Sequence, residues 1–169
     1  QTNPDYGLYQ REAKYFVENG LKAFWTNWGS FSCYFNMPLI SFFRGITYRL
    51  FGEGQGTILL GNLFFVAGIF FFTYQIGRRL FNRQIALVAL VFLATAPFFI
   101  TQTPLFLVDL GLTFFVAASV YLLLKLVDKP SWALGLLTGL VLFATAISKV
   151  FGVVYFAFIL AGFILFLIL

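Results

Sequence analysis

No histidine occurs among the 169 residues, cysteine occurs once, as Cys33, and acids and bases together fill only 10% of positions. Without imidazole, the commonest axial ligand of haem and related pigments is missing. One cysteine permits neither an intrachain disulfide nor a thiolate cage, so no cofactor is expected and no residue is singled out as a metal ligand, the metal requirement being left open. The 11 Lys and Arg outnumber the 6 Asp and Glu to leave a net charge of +5. They are spread along the chain at the ends of apolar segments, as in proteins that cross membranes, so no nucleic-acid partner is expected.

What is present is apolar. Hydrophobic residues make up 61% of the chain, Phe alone supplies 25 positions, and the mean hydropathy is +0.93. A soluble core of this length cannot bury that much. The composition therefore predicts an all-α, polytopic bundle of transmembrane helices with membrane lipids as neighbours.

A span needs roughly 20 apolar residues to cross about 30 Å of hydrocarbon. Five stretches qualify or nearly do: 57–76, 85–103, 105–124, 132–148 and 151–169. Arg78, Arg79 and Arg83 fall in the connection between the first two, and Lys125 and Lys129 between the third and fourth. Basic loops stay in the cytoplasm, which places residues 1–56, the 101–104 turn and the Lys149 turn on the opposite side. Asp109 is predicted about one and a half turns inside the third span, after Pro104. An acid in hydrocarbon is rarely without a partner or a task.

Residues 1–56 differ in kind. From Tyr9, apolar Ala13, Phe16 and Val17 recur at helical spacing against polar Arg11, Glu12, Lys14 and Glu18, with a stop at Asn19-Gly20. A second segment runs from Pro38 to Gly52, with Leu39, Phe42, Phe43, Ile46 and Leu50 on one side and Arg44 and Arg49 elsewhere. Both are read as amphipathic helices in the membrane interface. Phe24, Trp25, Trp28, Phe31, Tyr34 and Phe35 between them are read as an aromatic loop at headgroup depth. Gly135 and Gly139 form a small-xxx-small pair suited to close helix packing.

Several motifs run in order through this frame. They are Asn3-Pro4-Asp5-Tyr6-Gly7-Leu8-Tyr9 with Ala13; Pro38-Leu39 leading to Arg49-Leu50-Phe51-Gly52; and Gly77-Arg78-Arg79-Leu80-Phe81 with Ala86-Leu87 and Ala96-Pro97. Leu107-Val108-Asp109 with Phe114-Phe115, and Ala146-Ile147-Ser148-Lys149, complete the series. Together they resemble the amino-terminal half of a GT-C glycosyltransferase, in the branch of the protein O-mannosyltransferases and the lipid A aminoarabinose transferases.

The resemblance implies a fold in which one span precedes Gln1 and several spans plus a soluble domain follow Leu169. It implies transfer of a sugar from a polyprenyl-phosphate donor to a lipid or protein acceptor on the extracytoplasmic side, in a prokaryotic plasma membrane. Asp5 is then the candidate general base, with a helix N-cap as its equal alternative. Asp109 is a second catalytic acid or else half of an ion pair between helices with Lys149. Lys149, Arg44 and Arg49 are candidates for the donor phosphate, the two arginines being also natural interfacial anchors.

The chain departs from the family where Tyr6 replaces a second acid and Asn36-Met37 replaces the lysine expected before Pro38. Those departures support a second expectation, a catalytically impaired accessory subunit with other membrane subunits as partners, as in a respiratory or photosynthetic complex. A carrier is less well supported, because no span is broken near its centre by paired Gly or Pro and no inverted repeat is visible.

Overall fold

The computed structural model describes residues 4–32, 37–103, 105 and 108–168, with the side chains of 4–6, 98, 102 and 166–168 outside the description. Among the described residues every regular element is a helix: α1 (Pro4–Thr26), α2 (Trp28–Phe31), α3 (Pro38–Phe51), α4 (Gln55–Leu80), α5 (Arg83–Thr95), α6 (Pro97–Gln102), α7 (Asp109–Asp128), α8 (Trp132–Ala146) and α9 (Val150–Ile168). The all-α expectation holds. By length and composition α4 and α7 can each cross a bilayer, while α5, α8 and the 150–165 part of α9 are shorter apolar helices.

Local chemistry sets the helix limits. Pro38 occupies the first turn of α3, where its missing N–H costs nothing. Gly52 ends that helix at φ 78°, a backbone state that glycine adopts without strain. Asn82 and Ser131 cap α5 and α8 by accepting hydrogen bonds from the Ile85 and Leu134 amides. Asn82→Ala is expected to cost about 1 kcal/mol, seen as a lower unfolding midpoint in detergent.

Four expectations need correction. Gly20 breaks α1 at φ 79° as its stop signal requires, but helix resumes beyond it to Thr26, so Phe24 and Trp25 are helical. Trp28 and Phe31 likewise form a helical turn, while Tyr34 and Phe35 lie outside the described residues. The 85–103 span is interrupted at Ala96, because Pro97 biases the preceding residue toward extended backbone; Ala96 has ψ 123°. Arg78 and Arg79 lie in the last turn of α4 and Arg83 begins α5, so the connection shrinks to Phe81 and Asn82. Cations at a helix C-terminus meet the negative end of its dipole.

α7 packs against both α4 and α8, α4 also against α5, and α1 against α3. Buried polar groups tie these helices together, as they do in lipid, where apolar surfaces have little preference for one another. Asn62 of α4, fully buried, donates to the carbonyls of Thr103 and Leu105 and so holds the approach to α7. Thr145 donates to Val141 O, so in its 3.1 Å contact with Ser119 the donor is Ser119. Gly135 and Gly139 meet no neighbour within 4 Å of a Cβ built on them, so among the described residues the expected close packing is absent. The outer surface carries large apolar side chains such as Phe92, Leu136, Phe143 and Phe158.

Candidate functional site

α7 begins at Asp109 itself, so this acid stands at the mouth of its helix rather than one and a half turns inside. That position is favourable for an acid, because the free N–H groups and the positive dipole end of the helix favour a carboxylate there. Lys149, in the turn between α8 and α9, reaches across and bonds Asp109 Oδ1 at 2.7 Å. The side chains remain 37% and 26% exposed for Asp109 and Lys149 respectively. A pair this accessible adds on the order of 1 kcal/mol or less to stability, so its interest lies in its position. Asp109 lines an open recess of about 330 Å³ with Leu112, Thr113, Val116 and Tyr155. An ammonium group has three donors and Asp109 takes one, which leaves Lys149 able to meet a further acceptor.

The first turn of α3 adjoins this pair. Leu39 N donates to Ile147 O at 3.3 Å, docking α3 on the turn that carries Lys149. Ile40 fills the space over Gly111, two residues beyond Asp109; a Cβ on Gly111 would stand 2.3 Å from Ile40 Cδ1. Ser41 faces the other way, its hydroxyl donating to Glu12 Oε2 of α1 at 2.6 Å. Three consecutive residues thus touch three different parts of the molecule.

The inner face of α3 is its more polar side. Ile40, Ser41, Arg44, Gly45 and Tyr48 are buried, whereas Leu50 is 69% exposed and Phe43 36%. Glu12, expected on a polar outer face, is fully buried. The physical reason is the solvent. Against lipid the apolar side turns outward and polar groups turn toward protein partners. Glu12, Ser41 and Tyr48 were missed because the interfacial reading separated polar from apolar residues without saying which polar ones meet protein, and the short i, i+3 spacing of Ser41 and Arg44 was the available signal.

Arg44 Nη1 donates to Ile58 O at 3.0 Å, and its guanidinium carbon lies 5.9 Å from the centre of the Phe65 ring. Gly61 leaves the space it occupies. Burial pulls its pKa down to about 10, with Tyr48 acting weakly the other way, so it stays cationic at neutral pH. The native state holds this proton less tightly than the unfolded chain does. Its burial therefore costs stability at pH 7, and the cost is relieved only as pH rises beyond about 10. Arg44 is not among the residues lining the Asp109 recess. Arg49 is exposed in the last turn of α3.

Asp5 falls in the first turn of α1, one residue past the helix start at Pro4, rather than at the cap; its side chain lies outside the described residues. Its backbone stands seven residues before Glu12, two turns or about 10 Å along the axis. No group of three or more His, Cys, Asp or Glu suited to a metal occurs among the described residues.

The family model for dolichyl-phosphate-mannose-protein mannosyltransferases matches residues 36–169, most of the chain. The chain belongs to that family. It is accordingly a membrane glycosyltransferase of the GT-C type. Searches of curated proteins and of solved structures return no match. The matched region begins at Asn36, just before α3, and includes Asp109 and Lys149 but not Asp5.

Proposed function

We propose that this mannosyltransferase-family protein moves a sugar from a polyprenyl-phosphate donor to a lipid or protein hydroxyl on the extracytoplasmic face, with Asp109 and Lys149 framing the site. The observation that carries the reading is the Asp109–Lys149 pair, whose acid lines an open recess and whose lysine sits in the turn docked on the first turn of α3. In an inverting displacement the acceptor oxygen bonds to the anomeric carbon while the bond from that carbon to the phosphate oxygen breaks. The acceptor proton passes to a carboxylate, here Asp5, and the polyprenyl phosphate departs with the bonding pair. Lys149, steadied by Asp109, would meet the growing negative charge on the phosphate. Arg49 is available to a headgroup, and Arg44 acts by holding α3 on α4.

The sidedness rests on the basic ends of α4, α5 and α7. Arg79 and Asp128 bond at 2.5 Å where α4 and α7 both terminate, at the other end of α7 from Asp109. Met37 in place of the family's lysine favours the second reading, an impaired accessory subunit. Lys149 offers a substitute cation.

The test is transfer by the full-length protein in vesicles supplied with a polyprenyl-phosphate sugar. Lys149→Met is expected to lower kcat/KM for the donor on the order of 10²-fold, with partial retention by Lys149→Arg. An unchanged kcat/KM in Lys149→Met, or a wild-type protein that neither binds nor consumes the donor when its usual membrane partners are present, defeats the proposal.

A further inference from the structure

We infer that Glu12 is a positioning residue: through Ser41 it sets the helix that carries Asp5 against the Asp109–Lys149 pair. The inference rests on the reading of Asp5 as the base. Glu12 is wholly buried, a costly place for a carboxyl group unless its bonds are made, and Ser41, also fully buried, donates to it at 2.6 Å. An apolar pair at these positions would pack α1 on α3 without that cost. A directional bond in this place supplies register, which apolar contact leaves loose.

The register matters because of what Ser41 adjoins. Two residues earlier Leu39 is bonded to Ile147, two residues short of Lys149, and Ile40 sits over Gly111, two residues past Asp109. The first turn of α3 is thus a hub. Two of its spokes reach Ile147 and Gly111, each two residues from a member of the Lys149–Asp109 pair, and the third reaches Glu12. A hydrogen bond at Ser41 transmits to α1 the position that Leu39 and Ile40 set for the rest. The aromatic packing of Phe16 and Phe24 on Phe42 holds the two helices together, and the bond selects one arrangement among those that such packing allows.

Two readouts test this on the full-length protein. With spin labels at Glu18→Cys and Trp132→Cys in a Cys33→Ser background, the distance distribution is expected to be narrow in the parent. It should broaden in Glu12→Leu and in Ser41→Ala, and stay narrow in Glu12→Gln, whose amide oxygen still accepts from Ser41. In the donor assay Glu12→Leu and Ser41→Ala are expected to lose kcat on the order of 10²-fold with donor KM little changed, and Glu12→Gln to retain most of it. Ser41→Ala removes only one oxygen and keeps the test alive if Glu12→Leu does not fold. Narrow distances in Ser41→Ala, or a Glu12→Gln protein as impaired as Glu12→Leu, overturn the inference. Failure of the Asp5 reading is recognised separately, as wild-type transfer by Asp5→Asn with the distance results unaffected.

Discussion

Asp5→Asn is expected to lower kcat for sugar transfer by about 10² to 10⁴-fold and to leave the donor KM little changed. The amide keeps the size of the carboxylate but cannot take the acceptor's proton. The loss therefore falls on the chemical step rather than on donor binding. Asp5→Glu, which keeps the proton acceptor but moves it outward, is expected to lie between. Single-turnover transfer from a labelled donor distinguishes the step. Full activity in Asp5→Asn would remove the base from the proposed mechanism and return Asp5 to a structural role in the first turn of α1.

The second large effect is expected at a residue with no chemistry of its own. A Cβ on Gly152 would stand 2.0 Å from the carbonyl oxygen of Thr145 and 3.0 Å from its carbon. Both are backbone atoms that no rotamer change can move, and Gly152 N also donates to Lys149 O at 2.7 Å. Gly152→Ala must push the end of α8 away from the start of α9. A cost of about 1–3 kcal/mol or more is expected, measured as a lower unfolding midpoint in detergent. Lys149 lies inside the disturbed turn, so donor kcat/KM should fall in parallel. Gly139→Ala is the control: nothing lies within 4 Å of its added Cβ, and the helix gains from losing a glycine. Equal stability losses at the two positions would show that the tight turn is not the cause.

Much of the frame was legible because it depends on local chemistry. Pro38 and Gly52 delimit α3 through the missing N–H of one and the positive φ of the other, whereas the break at Ala96-Pro97 between α5 and α6 was passed over by a hydropathy count that runs through it. The pairing of Asp109 with Lys149 was legible as one of two alternatives, from the cost of an acid in an apolar run and the nearness of a single cation on the same predicted side. The depth of Asp109 was not, since the start of α7 depends on a connection held from outside by Asn62. The burial of Glu12, Ser41 and Arg44 was not legible, because amphipathic pattern states only that two faces differ and not which one meets protein.

The amino-acid order alone determined that this chain is helical and apolar enough for lipid, where α3 begins and ends, and which few ionisable groups stand near the ends of its apolar segments. Those properties follow from transfer free energy, backbone sterics and spacing, all of which act within a turn or two of chain. Only tertiary structure decided that three successive residues of α3 would tie α1, α7 and the Lys149 turn together, and that a glutamate would lie wholly buried between two helices. Contacts between residues some 29 and 40 positions apart arise from packing, which no local pattern encodes.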